Sequence, residues 1–241
     1  HATIRRQRQM CIRDRYIPTR VNDALLLALT IAGLWGASAS AAENPEAQAE
    51  PYIAGQHYAV IDIPVATAVQ DAGAVEVVEV FSYMCIHCYT FDPLLSDWHK
   101  AQSDQVNFQR LPAVFSPAWQ LLAQAYYTAE SLGVVEEMHE PLFKAVHVDR
   151  LDLRDEDLMA GLFQRHAGIE ADTFKKVFKA FSVRGRVMQS RAKSGSYGIT
   201  GVPTMIVNGK YRIDGQSAGG TNEMLQVVDY LVAKELAAKD G

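Results

Sequence analysis

Residues 74–81, Ala-Val-Glu-Val-Val-Glu-Val-Phe, form a nearly unbroken β-branched run, and only three residues separate it from Cys85-Ile86-His87-Cys88. Such a run reads as a strand. Its two-residue period places Val75, Val77, Glu79 and Phe81 on one face and Ala74, Glu76, Val78 and Val80 on the other. From Cys88 onward, Phe91, Leu94, Leu95 and Trp98 fall on a helical stripe, in which Pro93 predicts a kink. Val106 to Leu111 gives a second strand that stops at Pro112. Strand, helix and strand in direct succession predict a βαβ unit with two parallel strands. The two cysteines then lie where the first strand hands over to the helix.

After Pro112 the pattern turns helical. Ser116-Pro117 offers an N-cap followed by proline at the first helical position, and Gly133 stands where a helix should stop. Glu137 to Val146, Asp155 to His166 and Ala171 to Ala180 are amphipathic, with Gly168 as a stop, and Ser182 to Ser194 is a basic helix. Strand signals return at Thr204 to Val207, and Asn208-Gly209 predicts a two-residue hairpin turn into Tyr211 to Ile213. Met224, Leu225, Val228, Leu231, Val232 and Leu236 mark a last helix, with Thr221 as its N-cap. Ahead of the first long strand, Tyr58 to Ile63 alternates weakly before Pro64 and reads as a short strand. The layout is α/β: a first part at 56–112, a helical insertion at 113–189 and a second part at 190–241.

Further upstream, Arg13, Arg15 and Arg20 precede a twelve-residue apolar stretch, Ala24 to Trp35, and small residues follow to Ala42. That order predicts a secretory signal peptide, cut after Ala39 or Ala41. As a helix the apolar stretch would span about 18 Å, well short of the roughly 30 Å of a bilayer core. The run at 6–15 reads as a non-native extension, and 42–55 as a flexible mature N-terminus. Loss of residues 1–41 removes six Arg, two Asp and Cys11, leaving 17 basic and 26 acidic residues, net −9 against −5 for the whole chain. Such an acidic balance argues against nucleic acid as the main partner. The exported chain keeps two cysteines, Cys85 and Cys88.

Two cysteines three apart at a strand–helix junction can close a small redox-active disulfide. The first sulfur sits at the helix N-terminus, where free N–H groups and the helix dipole stabilise a thiolate. Cys88, one turn inside, is shielded and resolves mixed disulfides, and His87 adds a donor or a partial positive charge. A stabilised thiolate favours the reduced state, so the disulfide becomes more oxidising. The Gly-Pro pair typical of reducing thioredoxins is absent. Three other readings compete. A purely structural bridge would close too small a loop to contribute much. A c-type haem site would need histidine where this chain has Tyr89. Zinc would need two more ligands from His57, His99, His139, His147 or His166, none at ligand spacing. Those five histidines read as surface or capping residues.

The run Glu79-Val80-Phe81-Ser82-Tyr83-Met84-Cys85-Ile86-His87-Cys88-Tyr89, with Gly201-Val202-Pro203-Thr204 and Asn208-Gly209-Lys210-Tyr211 far downstream, resembles the DsbA family of periplasmic thiol:disulfide oxidoreductases. The resemblance covers the mature chain from about Tyr52 to Lys239. A lone CxxC is weak; CxxC after this strand, a helical insertion and then a Val-Pro-Thr loop is specific. It implies a thioredoxin fold with an inserted α-helical domain. It implies an enzyme that donates its disulfide to newly exported proteins in a Gram-negative periplasm and is re-oxidised by a DsbB-like quinone-linked membrane oxidase. The sequence carries no flavin, nicotinamide or metal motif, so no cofactor is expected, and nothing in it demands more than a monomer. Strong oxidation by a low-pKa cysteine is what that family is known for.

By the same resemblance Cys85 is the attacking and attacked sulfur and Cys88 the buried resolving one. Pro203 matches the family's cis-proline, which would turn the Val202 backbone toward a substrate peptide, with Ile86 and Thr204 on that substrate-binding edge. The family also has an acid six residues before its first cysteine, here Glu79, with a basic partner that is often Lys; this chain has Arg110. Both charges lie on apolar strand faces, which by itself suggests a buried or half-buried pair beneath the cysteines, an exposed edge-strand pair being the alternative. Arginine does not readily give up a proton, so any relay rests on Glu79. Ile86 departs from the proline common at its position. Tyr83, Met84, Phe115 and Trp119 could form a substrate surface or belong to the core. The rival functions are a reductase or isomerase of the same superfamily and a non-catalytic peptide-binding module.

Overall fold

The computed structural model describes residues 50–69 and 73–239. The signal peptide and extension expected over 1–41, Cys11 and the start of the 42–55 segment lie outside the described residues.

Among the described residues five strands form one sheet: β1 (Ala59–Val60), β2 (Val75–Phe81), β3 (Val106–Pro112), β4 (Thr204–Val207) and β5 (Tyr211–Asp214), side by side in the order β1-β5-β4-β2-β3. β2 and β3 are parallel, as the βαβ pattern predicts, and the other pairs are antiparallel. Between β2 and β3 runs α1 (Ile86–Ala101), one helix through Pro93. All seven residues of β2 are buried, which explains a run with so little polar alternation: both faces of the strand are covered. Val75 and Val77 join a core with Phe91 and Leu95 of α1 and with Val228 and Leu231 of α8 (Thr221–Ala237). Val78 and Val80 face the other way, onto Leu111, Ile206 and Tyr197.

Five helices follow one another between β3 and β4: α2 (Pro117–Leu132), α3 (Val135–His147), α4 (Glu156–Ala167), α5 (Ala171–Phe178) and α6 (Phe181–Ser196). Their boundaries follow local chemistry. The Ser116 hydroxyl caps α2 by accepting the Trp119 N–H, and Gly133, at φ +70°, ends it. Asp155 caps α4 and Gly168, at φ +67°, closes it. The helical core of Leu122, Tyr126, Met138, Leu142, Phe163 and Phe174 continues without a break into Phe81 and Tyr83. The end of the central strand is therefore packed inside the inserted helices, directly ahead of the cysteines.

Several expectations need correction. The strand read over Tyr58 to Ile63 is only Ala59–Val60; beyond it the Ile61 N–H still reaches the Lys210 carbonyl at 2.7 Å, but no ladder pairing continues. Thr221 is the first residue of α8 rather than its cap; Gly220, at φ +145°, holds that place with no side-chain bond. A short helix, α7 (Gly215–Ala218), capped by Asp214, was not expected. Of the segment read as flexible, residues 50–55 are docked: Tyr52 sets its ring against His57 and Tyr230 and its hydroxyl on Gln226, and Glu50 pairs with Lys234 at 2.8 Å.

The Asn208-Gly209 turn forms with both residues at positive φ, +51° and +64°. Val207 pairs with Tyr211, so the loop is one residue longer than a two-residue hairpin. Gly209 also receives the Val65 N–H on its carbonyl at 2.9 Å, and a Cβ there would collide with the Val65 carbonyl. Gly209→Ala should therefore cost roughly 1–3 kcal/mol from the left-handed backbone and the collision together. Urea unfolding should show this as a lower midpoint at unchanged slope; an unchanged midpoint would contradict the close approach. Among the described residues no helix is long and apolar enough to cross a membrane.

Candidate active site

Cys85 is the N-cap of α1, in extended conformation, and its Sγ accepts the Cys88 N–H at 3.3 Å. The turn out of β2 is fixed by Ser82, whose carbonyl accepts the Cys85 N–H at 3.0 Å and whose hydroxyl accepts the Met84 N–H at 3.1 Å. Both cysteines carry free thiols; Cys85 is half-buried and Cys88 fully buried. Facing them is the cis Val202-Pro203 bond, and the Cys85 thiol lies 3.4 Å from the Val202 carbonyl, to which it can donate. Thr204 is buried, with its hydroxyl donated to Gly201, so only its backbone faces this edge. His87, Val202, Pro203 and Gln216 line a groove of about 600 Å³ beside the cysteines.

The residues on either side of Cys85 in the chain are exposed apolar ones. Ile86 is 52% exposed, Met84 and Phe115 are exposed, and Phe115 stacks on the half-buried Trp119. Tyr83 instead belongs to the core.

Beneath the pair, Glu79 and Arg110 sit opposite each other on β2 and β3. Both side chains are buried, and Arg110 Nε donates to Glu79 Oε2 at 3.2 Å, so the exposed-edge alternative is not what forms. Arg110 Nη2 donates to Asp92 Oδ1 of α1 at 3.1 Å. His139 Nε2 of α3 lies 3.0 Å from the same oxygen, and its Nδ1 lies 2.9 Å from the Tyr83 hydroxyl.

The family described as DSBA-like thioredoxin domain matches residues 76–231, more than half of the chain. The chain belongs to that family. The thiol:disulfide interchange protein DsbA of Pseudomonas aeruginosa is 38% identical over 217 residues, 90% of this chain and 98% of that one. The protein of the same description from Pseudomonas syringae pv. tomato is 41% identical over 211 residues, 88% and 94% of the two chains. The crystal structure of Pseudomonas aeruginosa DsbA superposes with a TM-score of 0.75 at 38% identity, over 80% of this chain and 99% of that one. A DsbA oxidoreductase structure from Xylella fastidiosa gives 0.72 at 33% identity, over 77% and 98%. The fold is thus the expected α/β thioredoxin fold with inserted helices, and this DsbA-family chain is a disulfide oxidoreductase.

Its charge pattern separates the two thiols. The hydrogen bond from the Cys88 thiol is the largest influence on Cys85; burial opposes it, and the Cys88 and His87 N–H groups and lastly the His87 charge add to it, lowering the Cys85 pKa to about 6. The side chain of His87, exposed on the first turn, thus acts on Cys85 less than the helix backbone does. Cys88 is pushed far the other way by burial, by its bond to Cys85 and by the Glu79 charge. Burial raises Glu79 to about 7 against the pull of Arg110. Asp92 is held below the ordinary carboxylate range because His139 and Arg110 outweigh its burial.

Sequence reasoning missed Asp92, left Tyr83 open between substrate surface and core, and read His139 and His147 as surface or capping residues. His99 and His166 are on the surface, as expected. His139 is buried and His147 half-buried, its Nε2 donating to the Tyr83 carbonyl at 2.9 Å while its ring stacks on Tyr89. The available signal was position: His139 falls beside Met138 and four residues before Phe143, on the apolar side of its helix. Among the described residues no three His, Cys, Asp or Glu side chains are grouped to hold a metal ion.

Proposed function

We propose that this protein donates the Cys85–Cys88 disulfide to cysteine pairs of newly exported proteins. The observation that carries the reading is the asymmetry of the two sulfurs: a half-exposed Cys85 whose thiolate is held by a helix N-terminus and a thiol, over a buried Cys88 whose thiol keeps its proton. A substrate thiolate attacks Cys85 Sγ; the Cys85–Cys88 bond breaks and a mixed disulfide forms. Cys88 leaves as a thiolate and takes a proton, for which Glu79, titrating near neutrality below it, is the donor. A second substrate thiolate then attacks the substrate sulfur, and Cys85 departs as the stabilised thiolate with Cys88 as thiol. The substrate has lost two electrons and the enzyme has gained them.

Val202, whose carbonyl faces Cys85, would hold the substrate backbone in strand-like pairing, with Pro203 setting the edge and Ile86 and Met84 offering apolar contact to many sequences. The site is complete within one chain, which supports action as a monomer. Re-oxidation would fall to a quinone-linked membrane oxidase of the DsbB kind. The basic, apolar and small-residue order of residues 13–42 supports export to a Gram-negative periplasm with loss of residues 1–41. For the domains we keep 56–112 and 190–241 as the thioredoxin parts and 113–189 as the inserted helical domain.

The test is equilibration of the mature protein in glutathione buffers, with the thiols counted by trapping. The potential should lie well above thioredoxin's roughly −270 mV. A value close to thioredoxin's would assign the chain to the reductases instead.

A further inference from the structure

Tyr83 lies two residues before Cys85, and one helix of the insertion, α3, holds it twice. His147 Nε2 donates to its carbonyl and His139 Nδ1 meets its hydroxyl. The polar partners of His139 also fix which way its hydrogen bonds run. Asp92, ionised beside Arg110, can only accept, so His139 donates to it from Nε2. His139 Nδ1 is then an acceptor, and the Tyr83 O–H donates to it. The result is one buried chain, Tyr83–His139–Asp92–Arg110–Glu79. It begins on the loop that presents Cys85 and ends at the carboxyl whose charge acts on Cys88. His139 is its only member from the inserted helices and the link between its two halves.

We propose that His139 is a positioning residue for the thiol chemistry, joining the Cys85 loop to the acid pair beneath Cys88. This rests on the disulfide-exchange reading above and goes beyond it, since His139 touches neither sulfur. Its ring meets Phe81 at the end of β2, Tyr83 of the loop that follows, Asp92 of α1 and Phe143 of its own helix, and the charges acting on it are those of Asp92, Arg110 of β3 and Glu136 of its own helix. A neutral ring in this setting satisfies both neighbours. Removing it leaves the Tyr83 hydroxyl without an acceptor, and Asp92 without one of its two donors. Buried groups left in that state move until they find partners. Asp92 would turn further onto Arg110, and Tyr83 would shift the turn that sets Cys85 at the helix cap. Hydrogen bonds to the thiolate weaken steeply with such displacements.

The experiment uses His139→Phe, which fills the space without polar atoms, and His139→Gln, which keeps one acceptor and one donor. Three quantities are read on each: the pH midpoint of thiolate absorbance, the potential in glutathione, and the melting temperature. The Phe variant should raise the Cys85 midpoint by about half a pH unit or more, a threefold change in ionisation, and make the disulfide less oxidising. The Gln variant should recover most of both. Tyr83→Phe, which deletes a single hydroxyl, should shift the midpoint the same way by less, and serves if His139→Phe does not fold. A Phe variant with altered melting but wild-type midpoint and potential would overturn the proposal by showing a packing role only. So would a Gln variant as displaced as the Phe one, or an unmoved Tyr83→Phe. These shifts are differences from the unsubstituted chain, so they stand or fall separately from whether that chain is itself an oxidant.

Discussion

Replacing Cys88 with alanine should raise the Cys85 midpoint from about 6 toward the ordinary thiol value near 8.5, and replacing it with serine should raise it less. The order follows from the hydrogen bonds. The strongest influence on the Cys85 thiolate is the Cys88 thiol, which serine can replace with a weaker-placed hydroxyl and alanine cannot. The Cys88 and His87 backbone N–H groups remain in both variants, so neither should reach a fully unperturbed thiol. At pH 7 the thiolate fraction would fall from roughly nine-tenths to a few hundredths in the limiting case, about a thirtyfold loss of nucleophile. Oxidation of a reduced two-cysteine peptide should drop to the uncatalysed level in both variants, because no 85–88 disulfide can form. Offered an oxidised partner, Cys85 should instead be caught as a mixed disulfide with no thiol beside it to release it. Absorbance titration and mass analysis of the trapped species read the two effects. An alanine variant still titrating at about 6 would mean that the helix terminus alone sets the thiolate.

The features legible in the sequence were those whose cause is local. A β-branched run predicts a buried strand, Ser-Pro and glycine set the ends of α2, and Asn-Gly makes a turn at positive φ because those two residues accept it. The position of Cys85 at a helix cap is of the same kind, since it needs only the strand before it and the helix after it. Charges on apolar strand faces likewise predicted the burial of Glu79 and Arg110. What the sequence did not disclose depends on elements brought together from afar. Asp92 looks like one more acid on a helix until α3 docks against α1, and only then do Arg110 and His139 converge on a single carboxylate oxygen. The same holds for Tyr83, whose hydroxyl and carbonyl are claimed by residues 56 and 64 positions away. Thr221 shows the opposite error: the residue type suits a cap, but Gly220 already occupies the turn in a conformation open to glycine.

Glu79→Gln should stabilise the reduced protein at pH 8 and leave it unchanged at pH 4.5. Glu79 titrates at about 7 in the folded chain because burial disfavours its charge, against about 4.5 when unfolded. Between those values the folded state keeps a proton that the unfolded state has released. Stability from this group is therefore fully present below pH 4.5 and falls as pH rises to 7, the reverse of a carboxylate whose folded pKa is depressed. Two and a half units correspond to about 3 kcal/mol, and glutamine, which has no proton to lose, removes that slope. Asp92 works in the other direction, losing stability as the pH falls, so the comparison is made as the difference between variant and parent at each pH. Arg110 keeps Asp92 as its partner, which limits the cost of losing the Glu79 charge. The same change should slow turnover. Cys88 would depart from the disulfide with no acid beneath it, and the loss should be greatest below pH 7, where Glu79 still carries its proton. Urea unfolding of the reduced forms at the two pH values, alongside stopped-flow kinetics of mixed-disulfide formation, reads both effects. A stability difference that does not grow between pH 4.5 and 8 would place the Glu79 proton elsewhere, and unchanged kinetics would take away its part in protonating Cys88.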